Sequence, residues 1–361
     1  MRTSAPITIF TPSFADADNT NAQNLTVKEI VARLDPELFR IMMIADAAPD
    51  SRLLERPNTE FVHWSKHGNT VGLLGRVLAA RPAIYFFPRY GLLDRMFVKL
   101  RRYWPIRTAL LTYVVMTMDD PAASDWARPS IERADHICAN SKFVAKTISD
   151  RFGVDAEVIY DGVDKRFFYP CQEVPRAQLA ILYAGSFQSR KRVELVIEQA
   201  ARFSSVQFRI AGQGETETAC RELARQYGCS NVTFLGHLSS EELGKQMREV
   251  DIFFFPSILE GHPQVLGQAA ACGLPAIAMN TYRPDYVIHG KTGFLAESDA
   301  ELAHYLDCLI ANGSLRAAMS VAASQHMRNF DWDQIALQWA NVFQEMADAR
   351  QKLWWPRTQS A

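Results

Sequence analysis

The stretch DIFFFPSILEGHPQVLGQAAACGLPAIAM occupies residues 251–279. Its opening, IFFF, is apolar without polar alternation, which suits a strand buried on both faces. Pro263 suits the first turn of a helix, where a missing N–H costs nothing, so a helix is expected from 262–263. The small and apolar residues that follow give way at Gly273 to LPAIAM, a second strand. Strand, helix and strand in this order make a parallel βαβ unit. Glu260 and Gln268, eight residues apart, interrupt that apolar pattern. Either Glu260 merely ends a strand and Gln268 faces solvent, or both line a ligand site. The second reading has a physical basis. Glu260 falls at the carboxyl end of a strand, beside first-turn N–H groups that attract anions. Gln264 and Gln268, four apart, share one helix face.

The same grammar extends outward. Strand-like runs recur at 179–185, 206–212, 231–236 and 293–296, separated by amphipathic stretches such as KRVELVIEQAARF. The first half follows more loosely, with runs at 7–11, 39–45, 61–64, 83–87, 109–117, 135–139 and 157–160. The expected fold class is α/β, with two doubly wound parallel-sheet domains. The boundary is expected near 161–175, giving domains 1–170 and 171–335. The long amphipathic C-terminal stretch, 336–361, can pack back on the first domain.

At 48% hydrophobic and 22% charged, the chain can bury sizeable cores. A formal net charge of −1 provides no global argument for nucleic-acid binding, and none is expected as a partner. The six cysteines form no CxxC pair and read as reduced thiols. No signal-peptide pattern and no membrane-length apolar run occurs, so a cytoplasmic protein is expected, with peripheral contact on the inner face of the membrane as an alternative.

A second chemistry-bearing element is AGSFQSRKRVELVIEQA, 184–200, where a strand ends at Gly185 and Arg190, Lys191 and Arg192 follow. Three adjacent cations make a solvated face, or, at the carboxyl edge of a parallel sheet, place Lys191 against a diphosphate. The stretch 86–107 combines arginines, a lysine and aromatics. Helix packing with a basic face explains it, and so does contact with a membrane surface carrying a lipid-linked acceptor.

Seven segments, from ADHICANSKFVAKTI through EGHPQVLGQAAACGLPAIA to HGKTGFLAES, together resemble the retaining glycosyltransferases of family 4 in order and spacing, over about 134–345. That resemblance implies the GT-B fold, two Rossmann-like domains facing a cleft, and a nucleoside-diphosphate sugar as donor with a glycan or lipid-linked acceptor. It implies no metal and no other cofactor. The family's pair of glutamates falls on Glu260, implied to contact the donor sugar, and on Gln268, which stands where the ribose-binding glutamate is expected. Of the family's diphosphate-binding Arg and Lys, Ser186 occupies the first position and Lys191 keeps the second. Arg190 could supply the missing charge. Gly185, Leu238 after FLG, and the backbone of Gly261, His262, Gln264 and Val265 complete the implied donor site.

The N-terminal half departs from the family. Its glycine-rich loop is replaced by DADNTNAQN, 16–24, in which Asn21 can take glycine-like backbone angles. The DAD triplet also mimics a metal-binding DxD motif. TMDDP, 117–121, places Asp119 or Asp120 toward the acceptor, or makes either a helix cap. The implied reaction is sugar transfer with retained configuration, catalysed by Glu260 and Lys191, in cell-surface glycan or glycolipid assembly. A donor-binding but inactive homologue acting as a partner subunit is the alternative, motivated by Ser186 and Gln268. A GT-B phosphorylase or epimerase is a further one.

Overall fold

The structure is a computed structural model that describes residues 5–18, 21–64, 68–88, 91–103, 107–170 and 178–354, with backbone only at 102–103 and 351–354. Cys171, positions 19–20 of the 16–24 loop, and positions 89–90 and 104–106 of the aromatic–basic stretch lie outside the described residues. The chain forms two compact units, residues 1–161 with 332–361, and residues 162–331. The dividing points lie at 161/162 and 331/332, against 170/171 and 335/336 in the sequence reading. Side-chain bonding explains the earlier first boundary. Asp161 accepts hydrogen bonds from Thr26 (2.9 Å), Tyr113 (3.1 Å) and Asn140 (3.2 Å), all in the first unit.

The first unit runs β1 (Ile7–Phe14), α1 (Ala22–Arg33), β2 (Phe39–Ala45), α2 (Ser51–Leu54), β3 (Thr59–His63), α3 (Thr70–Ala80), β4 (Ile84–Phe86), α4 (Leu92–Tyr103), β5 (Ala109–Val114), α5 (Pro121–Ile131), β6 (His136–Ala139), α6 (Lys142–Phe152) and β7 (Glu157–Val158). Its sheet has the order β3-β2-β1-β4-β5-β6-β7, and every pairing is parallel. Alternate residues feed opposite faces. Ile9, Ile41 and Met43 pack in one core, while Phe10, Met42 and Ile44 pack in another. Both faces are therefore apolar, as helices on both sides require.

The second unit runs β8 (Ala180–Ala184), α7 (Val193–Arg202), β9 (Gln207–Ala211), α8 (Glu217–Gln226), β10 (Val232–Gly236), α9 (Ser240–Arg248), β11 (Ile252–Phe255), α10 (Gln264–Ala271), β12 (Ala276–Met279), β13 (Gly293–Ala296), α11 (Asp299–Ala311) and α12 (Gly313–His326). Its sheet order is β10-β9-β8-β11-β12-β13, again all parallel. The chain then returns to the first unit as α13 (Trp332–Trp354). Trp339 of α13 is fully buried against Phe86, Tyr113 and Phe343, with ring centroids 4.8–5.8 Å away. Its partners lie on β4, β5 and α13 itself, so this helix completes the first unit's core.

In α4, packing accounts for much of the aromatic–basic stretch. Leu93, Phe97 and Val98 are buried, and Asp94 accepts from the Tyr85 hydroxyl at 2.6 Å. Arg101 pairs with Asp135 at 2.5 Å, which removes it from the free basic face. Leu92, Arg95 and Lys99 remain exposed. Among the described residues no helix is long and apolar enough to cross a membrane. The described cysteines are free thiols.

Candidate functional site

In a doubly wound sheet, ligands bind beyond the carboxyl ends of the strands where the strand order reverses. In the second unit that reversal lies between β8 and β11. The loop after β8 carries Gly185, Ser186, Arg190 and Lys191, and the loop after β11 carries Ser257 and Glu260. Topology alone thus brings the two elements singled out in the sequence to one place.

Glycine permits the first loop's path. Gly212, just past β9, has φ +131°, and a Cβ there would sit 1.9 Å from the Gly185 carbonyl oxygen. Gly185 N–H donates to Ala211 O at 3.0 Å, and Phe187 N–H to Gln213 O at 3.0 Å, so the loops after β8 and β9 are zipped together. A short 3₁₀ turn, Ser189–Lys191, then presents the cations. Ile258 N–H donates to Arg190 O at 3.1 Å, joining this turn to the β11 loop.

The three cations divide by direction. Lys191 Nζ lies 2.6 Å from Glu260 Oε1, and Arg190 reaches the same oxygen at 3.0 Å. Arg190 also donates to Leu259 O at 2.7 Å. Arg192 turns away, donating to Pro256 O at 2.8 Å and pairing with Asp299 at 2.6 Å. Ser257, fully buried, donates to Glu260 Oε1 at 2.5 Å. Three donors therefore converge on one carboxylate oxygen, while none of the described residues bonds Oε2.

The Lys191 and Glu260 side chains are each only 10% exposed. Burial holds the Lys191 ammonium below its ordinary pKa, opposed by the attraction of Glu260 and reinforced by Arg190. Its Nζ also lies 4.9 Å from the Phe255 ring centroid, a favourable cation–π position. Phe255 in turn stacks on Tyr183 at 6.0 Å, and the Tyr183 hydroxyl donates to Ser186 O at 3.2 Å. Burial pushes the Tyr183 hydroxyl pKa up, with Glu260 adding to the effect.

The helix after Glu260 begins at Gln264, one or two residues later than the sequence suggests. Pro263 is the N-cap residue, with ψ 108°, rather than the first helical residue. A proline side chain has no acceptor, so no side chain caps this end. Gln264 and Gln268 are both half-buried, as are Gly261 and Val265. Buried His262 stacks on Tyr286 at 3.8 Å, and burial pushes its pKa down to about 3, so its ring is neutral. Gly267 has the Tyr286 ring 2.9 Å from where a Cβ would stand, which fixes how closely α10 approaches this pair. Ser186 is exposed and Leu238 half-buried, just past the end of β10.

The first-unit residues take other places. Asn21 caps α1, its side chain accepting from Gln23 N–H at 3.0 Å, with φ −57°. It does not use the glycine-like angles that the sequence allows, because capping demands extended backbone. Asp120 caps α5 by accepting from Ala122 N–H at 3.0 Å, while Asp119 is exposed. Asp16 of the DAD triplet is buried, and its Oδ1 takes the N–H groups of Asp46 and Ala47, each at 3.0 Å. That oxygen ties two loops together.

Sequence reasoning missed Ser257, Tyr183, Phe255 and Tyr282. The Tyr282 hydroxyl is buried beyond β12 without a hydrogen-bond partner among the described residues. Burial raises its pKa, with the negative charge of Glu260 a smaller contribution. The one available signal was Ser257, three residues before Glu260 in the loop after an apolar strand.

Residues 168–326 match the family described as "Glycosyl transferases group 1". The chain is 26% identical to an uncharacterized glycosyltransferase of Methanocaldococcus jannaschii, over 60% of this chain and 61% of that one. It thus spans about six tenths of that relative's length. It is 25% identical to a phosphatidyl-myo-inositol mannosyltransferase of Mycobacterium leprae, covering 87% of this chain and 90% of the relative. Among solved structures, Anabaena HepE in complex with UDP and glucose superposes with a TM-score of 0.76 at 17% identity, over 94% of this chain and 100% of that one. The chain has two parallel-sheet α/β units of the GT-B class, and its residues 168–326 carry the pattern of the group 1 glycosyl transferases.

Proposed function

We propose that the protein is a retaining glycosyltransferase of the family 4 type, moving a sugar from a nucleoside diphosphate to an acceptor hydroxyl. The observation that carries this reading is the convergence of Ser257, Arg190 and Lys191 on Glu260 Oε1 at the strand-order reversal. A carboxylate so held keeps its other oxygen for a ligand. Its cations are positioned for a diphosphate, and the α10 N-terminus adds a favourable dipole. The names of the relatives agree with such an activity.

In the mechanism, the C–O bond between the anomeric carbon and the diphosphate breaks, and the acceptor oxygen bonds that carbon from the same face. The departing phosphate takes the acceptor proton. Lys191 and Arg190 exchange their Glu260 partner for the diphosphate and stabilise its growing charge. Glu260 then faces the positive charge that develops at the anomeric carbon. Gln268, through its amide oxygen, accepts a hydrogen bond from the nucleoside ribose. No step is assigned to a metal.

The test is product analysis with a panel of nucleoside-diphosphate sugars and glycan or lipid-linked acceptors, in EDTA. Release of nucleoside diphosphate with an α-configured product from an α-configured donor is expected. Transfer from a sugar 1-phosphate with release of free phosphate, and none from the nucleoside-diphosphate sugars, would mark a phosphorylase, and activity restored only by manganese or magnesium would refute the metal-free step.

A further inference from the structure

β6 and β7 close one edge of the first sheet, with β7 outermost. In their parallel register Cys138 stands opposite Glu157. His136 lies two residues before Cys138 on β6, so the pleat turns both side chains to the same face. An imidazole, a thiol and a carboxylate thus meet on one face of two edge strands. One ligand atom from each lies within 4.8 Å of the other two, and no other such trio of His, Cys, Asp or Glu occurs among the described residues. Burial across the trio is graded. Cys138 is fully buried in the core that also holds Trp339, while the His136 and Glu157 side chains are 35% and 48% exposed. The thiol is therefore a floor with apolar neighbours, and the other two groups form a rim reached from solvent.

The distances suit a small tetrahedral ion. His136 Nε2 and Glu157 Oε2 are 2.8 Å apart, in direct hydrogen bond. Ligands of one zinc ion, each about 2.0–2.3 Å from the metal, stand roughly 3–4 Å from one another. The rim pair must open, and the widest separation close, each by about 1 Å or less on that geometry. Rotation of the long, exposed Glu157 side chain supplies this without moving either strand. Asp135, adjacent in sequence, is not available as a further ligand, because Arg101 and Arg350 hold it at 2.5 and 2.9 Å.

We propose that His136, Cys138 and Glu157 bind a zinc ion at this sheet edge, with water as the fourth ligand. Thiolate and imidazole beside a single carboxylate select a borderline-soft ion over magnesium or calcium, which prefer oxygen alone. As the ion binds, a bond forms to Cys138 Sγ and the thiol proton leaves to solvent. Burial, with the charge of Glu157 adding, holds that thiol above its ordinary pKa, and coordination to a dication reverses this. The ion ties β7, only two residues long, to β6 just before the chain leaves the first unit at 161/162. With three protein ligands it is an exchangeable clamp rather than a closed structural site. Glu260 and Lys191 belong to the second unit, so no step of sugar transfer runs through this ion, and the proposal does not rest on the transferase reading.

The experiment is cobalt(II) titration of the untagged full chain after dialysis against EDTA, followed by near-ultraviolet and visible absorption. A saturable thiolate-to-cobalt charge-transfer band with tetrahedral visible bands is expected at one ion per chain, and zinc should bleach both. Cys138→Ala should abolish the charge-transfer band. His136→Gln and Glu157→Gln, at partly exposed positions outside the core, should each weaken cobalt binding at least about tenfold, since even outer-shell partners are worth about 10–100-fold. Zinc should also raise the thermal midpoint of the wild type and not that of Cys138→Ala. A band kept in Cys138→Ala places the ion on another thiol, such as Cys308 beside His304, and overturns the proposal. So does the lack of any charge-transfer band, or cobalt affinity unchanged in either rim variant.

Discussion

Replacing Glu260 by glutamine should lower turnover by on the order of 10²–10³-fold while leaving nucleoside-diphosphate affinity unchanged or slightly higher. The two signs differ for one reason. Glu260 now neutralises Lys191 and Arg190, at 2.6 and 3.0 Å, and competes with a diphosphate for both. Removing its charge frees the cations for the nucleotide but takes away the carboxylate that faces the reacting sugar. Glutamine is the informative change because its amide oxygen still accepts from Ser257 and Lys191. Alanine would leave the buried Lys191 ammonium without a hydrogen-bond acceptor as well as without a counter-charge, which costs about 3–5 kcal/mol and confounds activity with unfolding. Steady-state kinetics and calorimetric titration on the same preparation check both signs. Full turnover in the glutamine variant would remove Glu260 from the chemistry.

Trp339→Ala should destabilise the first unit by about 3–5 kcal/mol, the usual range for a buried tryptophan reduced to alanine. The indole fills space among Phe86, Tyr113 and Phe343, and its loss leaves a cavity that sheet and helix cannot both close. Because α13 follows the second unit in sequence but packs in the first, the loss should appear in the first unit's transition. Chemical denaturation followed by hydrogen exchange would assign it. Destabilisation confined to residues 162–331 would contradict the packing described.

These two sites also mark how far the sequence could be read. The strands were legible because parallel strands covered on both faces are continuous apolar runs, as in IFFF at 252–255. The extent of β1 was not, since Pro12 and Ser13 look like a terminator; the register shift between Thr11 and Phe14 accommodates them. Glu260 and Lys191 could be picked out as chemistry-bearing, but not their direct contact, which arises only when β8 and β11 become neighbours. The direction of Arg192 was equally hidden, because its partner Asp299 lies far along the chain. The two capping residues Asn21 and Asp120 show the converse. Short polar side chains before a helix satisfy local backbone first, whatever else the position could serve.

Calorimetric titration of wild type and Lys191→Ala with UDP, GDP and ADP tests the central claim most directly, that the Lys191–Glu260 site receives a nucleoside diphosphate. At least one nucleotide should bind the wild type saturably. Lys191→Ala should weaken it by about 1.5–3 kcal/mol, the worth of a charge-assisted hydrogen bond. Equal binding to both proteins, or no saturable heat from any nucleotide, would contradict the account.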